Sequence, residues 1–519
     1  MPLLKRLFCV VYLIMKFINL KFILLFFIFF CFLLSEVNHL SCIVDKNTRD
    51  ISRNDFIEPE TIESENFVIH FTISDTECQF INGECVSLQS NYGYAQSIID
   101  HAEAALIQYL EDGWINIPPD CDESITDIQS PDHCINFGGN SKYDIYISNE
   151  GPGMVVPENP YPVAPYLGGY SSFMKISTLS NSYQSLPSWN YHVVAHELHH
   201  SIQLRYGYSV SGTPGNYMHN GWFFEQSATY MQNVIYPSSS HLQTMLSNCD
   251  VVTPLTYPEY GIDYPAEIYP YRSALWQKFL VESLEDSSIV RYFWENYGTE
   301  YATGNPVSLF PIYNDAIEYV TNDSQSLSDA YVDYAIWRYF TGERSIPNNY
   351  FNESSNYCSA STLSDFENNF TLSTNKGASL FIELPSENID LTISSDSIND
   401  IQLSFIEINQ NNSINVVPLF SNNNFYAVNL DSDYNNVLIA TSDYNDIQSG
   451  SVNFSISINE LDILGDVNQD SILNVQDIVL MINIVLENDY NVIADVNEDG
   501  YVNVLDVVVM INILVGGLP

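Results

Sequence analysis

Residues 193–203 read VVAHELHHSIQ, with three histidines and a glutamate inside five positions. The apolar VVA that leads in is what a buried helix needs. On a helix, positions i and i+4 lie about 40° apart on one face. His196 and His200 can therefore direct their imidazoles at one metal ion. Glu197 sits about 100° round from His196, so it can reach a water beside that ion without being a ligand. His199 fits this geometry less well and reads as a group behind the ligands or at the surface. The H-E-x-x-H spacing is that of a zinc hydrolase helix, in which the glutamate acts as general base. The plain alternative is a polar helix face.

A catalytic zinc takes three protein ligands and keeps one position open. NGWFFEQSATYMQ (220–232) supplies the best third ligand. Glu225 lies there among Trp222, Phe223, Phe224 and Ala228, where a carboxylate is costly to bury unless it is paired or holds a metal. His219 and His241 are weaker candidates. Gln203 and Tyr206 stand where a metzincin has glycine and histidine, which excludes that subclass. Tyr230, Tyr269 and Tyr271 lie where an oxyanion donor could come from, and aromatic packing accounts equally for each.

Around this helix, ENFVIHFTIS (65–74), KYDIYIS (142–148) and GGYSSFMKIST (168–178) alternate like strands, the last two separated by a Pro/Gly loop. The third could be an edge strand that holds an extended peptide. Helical patterns cover 93–113, 190–207, 221–236, about 271–297 and 326–341. Residues 60–345 thus read as an α+β domain, strands early and helices late. A polar, Asn/Ser-rich stretch at 346–369 reads as a linker. Short alternating strands fill 370–460 at the spacing of a β-sandwich, with no catalytic constellation.

The C-terminal segment, 463–519, is a repeat. DVNQDSILNVQD (466–477) returns as DVNEDGYVNVLD (495–506), each followed by an apolar helix, IVLMINIVL and VVVMINILV. Oxygen side chains stand at loop positions 1, 3, 5, 9 and 12: Asp466, Asn468, Asp470, Asn474 and Asp477, then Asp495, Asn497, Asp499, Asn503 and Asp506. That spacing suits a calcium ion in each loop. Ser471 takes the sixth position of the first loop, where a non-glycine costs roughly 1 kcal/mol, so the first site is expected to be the weaker. Met481, Ile482, Met510 and Ile511 read as core of this module, with a partner-facing surface as the alternative.

The duplicated loop and helix with Asp at position 12 resembles a type I dockerin. The resemblance implies a small all-α module that binds two calcium ions and docks onto a cohesin domain of another protein. HVVAHELHHSIQ followed by WFFEQSATY resembles the gluzincins, thermolysin-like zinc peptidases. More narrowly, 60–345 is similar to a group of secreted bacterial metalloproteases, with ALWQKFLVE (274–282) and AIWRYFTGER (335–344) as later landmarks. This implies one zinc held by His196, His200 and Glu225, with Glu197 as general base for peptide hydrolysis. Glu225 is followed by QSA where thermolysin-like enzymes have a pattern ending in Ser-Asp, so the outer acid of those enzymes is not evident. The competing expectation is a non-catalytic surface protein with a degenerate peptidase domain.

The remaining chain bounds these readings. The 519 residues carry 64 acidic and 16 basic side chains, a net charge of −48. That balance argues against nucleic acid or an anionic membrane surface as partner. FILLFFIFFCFLL (22–34), preceded by Lys5, Arg6, Lys16 and Lys21, reads as an export signal within 1–41. It is either cleaved or kept as an anchor, and Met15 is an alternative start. A secreted or cell-surface location follows. Export favours disulfides; proximity pairs Cys78 with Cys85 and Cys121 with Cys134, while Cys249 and Cys358 could pair or stay free. No G-x-S-x-G occurs, which disfavours serine hydrolysis.

Overall fold

A computed structural model describes residues 53–81, 84–118, 142–150, 152–161, 165, 168–178, 187–208, 217–265, 268–305, 307–364, 369–375, 377–384, 389–394, 401–409, 413–419, 425–430, 434–442, 451–460, 464–468 and 472–515. The expected signal segment, Cys42, Cys121 and Cys134 lie outside these residues. The chain divides into two compact units, Met1–Ser361 and Thr362–Pro519.

The first unit opens with β1 (Glu60–Glu63), β2 (Phe67–Phe71), the hairpin β3 (Cys78–Ile81) and β4 (Glu84–Ser87), and helix α1 (Tyr92–Glu111). Then come β5 (Tyr143–Ser148), β6 (Gly153–Pro160) and β7 (Tyr170–Ser177). The main sheet runs β1-β2-β5-β7-β6. Its three central strands are parallel, and β1 and β6 close the two edges antiparallel. The central strands are buried on both faces, as Tyr143–Ser148 shows along its whole length.

The edge strand is not the one expected. Tyr170–Ser177 pairs on both sides, and GMVVPENP, read as part of a loop, forms the edge. Pro157 and Pro160 gave it a loop's composition. They are tolerated because an edge strand has one side free of ladder bonds. On the sheet face that carries Asp144, Arg53 bonds Glu158 through Nε (3.0 Å) and Nη2 (2.7 Å). It also pairs with Asp144, which holds His70 Nε2 at 2.8 Å. Phe56 packs there against Tyr146, Met154, Val156 and Phe173.

The helices follow: α2 (Pro187–Tyr206), α3 (Tyr217–Ile235), α4 (His241–Leu246), α5 (Tyr269–Arg272), α6 (Leu275–Leu284), α7 (Ser288–Ala302), α8 (Leu309–Thr321) and α9 (Leu327–Tyr339). The single helix expected at 271–297 is three, broken at Ser273–Ala274 and at Glu285, which takes a left-handed φ of 54°. The capping box at Ser326 and Asp329 starts α9.

The stretch 346–361, expected to be linker, belongs to the first unit. Phe351, Tyr357, Cys358 and Ala360 are buried, and Cys358 is disulfide-bonded to Cys249. Its polar composition concealed these few anchors. Cys78 and Cys85 also pair, as expected. Two disulfides fit an extracellular, oxidising setting. Among the described residues no helix is long and apolar enough to cross a membrane.

Among its described residues the second unit holds eight strands: β8 (Asn369–Asn375), β9 (Ser379–Glu383), β10 (Ile389–Ser394), β11 (Ile401–Asn409), β12 (Ile414–Leu419), β13 (Phe425–Leu430), β14 (Tyr434–Ser442) and β15 (Ser451–Glu460). They form two antiparallel four-stranded sheets, β13-β10-β15-β8 and β12-β11-β14-β9. β8 and β12 were not anticipated. Helices α10 (Val475–Glu487) and α11 (Val504–Leu514) follow, each started by an asparagine cap. Met481, Ala494, Val507 and Met510 form their shared core. Ile482 and Ile511, expected in that core, are 41% and 42% exposed. The chain is thus a multidomain protein with both α and β elements.

The Cys249–Cys358 bridge closes a loop of 109 residues. Replacing both cysteines by serine should destabilise the first unit by about 2–5 kcal/mol. Urea unfolding of the two proteins checks this; an unchanged midpoint would show that the loop's closure entropy is not felt.

Candidate metal centre

Helix α2 is buried on every side over its described side chains, apart from Arg205. A helix in such a place is ordinarily apolar all round. This one buries His192, His196, Glu197, His199, His200, Ser201 and Gln203. Each of these must be answered by a partner, or its desolvation is uncompensated.

His196 and His200 are answered by α3 and by one another's turn. His196 Nδ1 lies 2.8 Å from Gln232 Oε1, and His200 Nδ1 lies 2.7 Å from Gln203 Oε1. Gln203 in turn donates its amide to the Phe224 carbonyl at 3.0 Å, which turns its oxygen toward the imidazole. Each Nδ1 faces an amide oxygen and so carries a proton, and in the neutral imidazole each Nε2 then keeps its lone pair. The two Nε2 atoms are 3.1 Å apart, and Glu225 Oε2 lies 3.2 Å from the first and 3.3 Å from the second.

Three such donors meeting in a buried space can hold a cation between them. A tetrahedral zinc with bonds of about 2.0–2.1 Å separates its ligand atoms by about 3.3 Å, close to all three edges of this triangle. Burial depresses the His196 pKa, although Glu225 pulls it the other way. Burial pushes the Glu225 carboxyl up, but the charge and hydrogen bonds of His200 and His196 in their protonated form hold it below the usual carboxylate range. A neutral imidazole and an ionised carboxylate are the states that a metal ligand must reach. Among the described residues, this is the one group of three His, Cys, Asp or Glu whose ligand atoms lie within 4.8 Å of one another. The donor set fits zinc.

Glu197 is buried against the edge strand. A Cβ on Gly153, the first residue of β6, would come within 2.7 Å of Glu197 Oε1 and 2.9 Å of Val193 Cγ1. Only glycine lets the strand lie this close to the glutamate, and no sequence signal marked it. Tyr271 is brought to the site, its ring parallel to that of His196 at 5.7 Å. Tyr269 is not: its hydroxyl donates to the Tyr260 carbonyl. Tyr230 is buried and its phenol is pushed up chiefly by that burial.

His199 points the other way. It is fully buried among Tyr109, Trp114 and Trp294, and its Nε2 lies 3.0 Å from Ser227 Oγ. Burial holds it neutral. It pins α2 to α3 from behind rather than reaching the surface. His241 stacks on His192 at 4.3 Å, and burial, with His196 beside it, lowers its pKa to about 4. The side chain of His219 lies outside the described residues.

The C-terminal loops differ in chemistry. Asp466, Asp477, Asp495 and Asp506 are buried carboxylates, and no lysine, arginine or histidine occurs after residue 460. In the second loop Asp499 and Gly500 donate their amides to Asp495 Oδ1 (3.1 Å) and Oδ2 (2.9 Å). Asn497 and Asn503 donate theirs to Asp506 at 3.2 and 2.8 Å. Asn468 and Asn474 close the first loop on Asp477 the same way, at 3.3 and 2.9 Å. Gly500, at the sixth position, adopts φ +84°, the turn that favours glycine. Asn474 and Asn503 accept from the amides of Gln476 and Leu505, so their side chains cap α10 and α11. Asp470 and Ser471 lie outside the described residues. Among those described, neither loop brings three carboxylates as close as the His/Glu centre does.

Residues 169–335 match a family of unknown function (DUF6055). The matched span contains α2 and α3 whole, and so both ligand-bearing helices. No curated protein matches the chain. Among solved structures, the chain is similar to the pre-peptidase C-terminal domain of a collagenase from Bacillus anthracis. The identity is 14%, covering 20% of this chain and all of that one, with a TM-score of 0.15. A likeness that slight bears on neither fold nor activity.

Gly153→Ala should displace Glu197 while leaving the three ligand atoms in place. Zinc affinity should stay within about threefold of the parent, while the clash costs about 1–3 kcal/mol of stability. Metal titration and thermal unfolding of one preparation check both; a parallel fall in affinity would mean that strand and ligands are not separable.

Proposed function

We propose that the first unit is a zinc-dependent endopeptidase of gluzincin type, exported, and tethered to a cohesin-bearing partner by a calcium-binding C-terminal module. The observation that carries the first part is the convergence of His196 Nε2, His200 Nε2 and Glu225 Oε2, with their lone pairs facing one another. Bound there, zinc would supply Lewis acidity, acidifying a water and polarising the substrate carbonyl.

The chain's own residues supply the rest. Glu197, one position after the first ligand, accepts the proton of the attacking water and delivers it to the leaving amine. The outer side of β6, next to Glu197, can take an extended peptide as one more strand. Tyr271 flanks His196, its ring stacked on the imidazole. The buried surroundings of the ligands exclude bulk water, which strengthens each charge interaction.

For the tether, the buried loop carboxylates without a basic residue in their segment support calcium. Val475, Val479, Ile482 and Leu486 form an exposed apolar stripe on α10, and Val504, Val508, Ile511 and Val515 repeat it on α11. Such a surface suits a protein partner.

Metal content and casein or mixed-peptide cleavage, measured on the parent, Glu225→Ala and Glu197→Gln, test the enzyme. The parent should hold one zinc and cleave. Glu225→Ala should lose zinc affinity by at least about 100-fold, and Glu197→Gln should keep zinc while losing about 10²–10⁴ in kcat. A zinc-loaded parent that cleaves no peptide favours a non-catalytic binding protein. Calcium chelation should abolish the helical circular dichroism of residues 463–519; helices that persist without calcium would refute the calcium reading.

A further inference from the structure

We propose that Gln232 and Gln203 are the positioning residues of the metal centre and that, as uncharged amides, they keep its zinc affinity below what the same three ligands could reach. This rests on reading the centre as a zinc site. Each ligating imidazole is held through Nδ1 by one glutamine oxygen, at 2.8 Å for His196 and 2.7 Å for His200. Both glutamines are buried, so the contact is not shared with bulk water. The bond from Gln203 to the Phe224 carbonyl leaves its amide one orientation.

The two bonds cross between the helices. Gln232 reaches from α3 to a ligand on α2, and Gln203 reaches from α2 to the backbone just before Glu225 on α3. Displacing either would turn an imidazole and shift the helix that carries the third ligand. Their chemistry matters as much as their placement. A carboxylate on Nδ1–H would draw on that proton and make Nε2 a stronger donor, whereas an amide draws on it less. In both imidazole contacts the outer partner is neutral, so the ligands meet the metal with no added basicity.

The test is zinc affinity of the full chain, by competition with a chromophoric chelator at neutral pH. Gln232→Glu should tighten zinc by about 10-fold, and Gln232→Met, which fills the space without the acceptor, should weaken it by about 10–100-fold. The visible absorption of the cobalt-loaded chain should shift in both variants. A gain of affinity in Gln232→Glu has no explanation in structural damage, so it carries the test even if Gln232→Met fails to fold. Affinities within threefold of the parent in both variants overturn this inference and leave the zinc reading intact. A parent chain that takes up no zinc overturns both.

Discussion

The described part of α2 buries seven polar side chains that must find partners to offset the loss of water. That requirement organises the first unit. Gln232 and Gln203 satisfy the two ligating imidazoles from opposite helices. Ser227 satisfies His199, and is itself bonded by Trp294 Nε1 at 2.8 Å. Tyr143 reaches Ser201 at 2.6 Å from the sheet below. The sheet, α3 and α7 thus meet α2 at defined points, and the ligand atoms are held by the same contacts that keep the helix buried. Groups fixed in this way need little reorganisation when a ligand arrives.

The two candidate centres solve different problems. The His/His/Glu triangle is small, dry and rigid, with two nitrogens and one oxygen, as suits zinc. The C-terminal loops offer oxygens only, as suits calcium. Their supports differ in kind as well. Side chains from a second helix orient the imidazoles, while the loop's own amides orient its carboxylates.

Much of this was legible in the sequence, because the informative patterns are local. His196 and His200 are one helical turn apart, and the 29-residue repeat is visible by eye. Glu225 was found from the cost of burying a carboxylate among aromatic residues, and the structure places it against both histidines. What could not be read depends on contacts distant in sequence. Gly153 matters only because Glu197 lies against it, 44 positions on. Strand β6 was hidden by prolines that an edge tolerates. Gln232 looked like any polar residue of a helix, and Gln203 was noticed only as the wrong residue for another peptidase class. The segment 346–361 looked like linker because its few buried anchors are scattered among polar residues.

The Cys249–Cys358 bridge has a consequence for how the protein ages. It spans the turns at 250–265 and every helix from α5 to α9. A single cut anywhere in that span leaves both pieces covalently joined. A chain nicked there would keep its mass on a non-reducing gel and fall into fragments only when reduced. For a protein exposed to proteases outside the cell, wear could then accumulate without loss of parts.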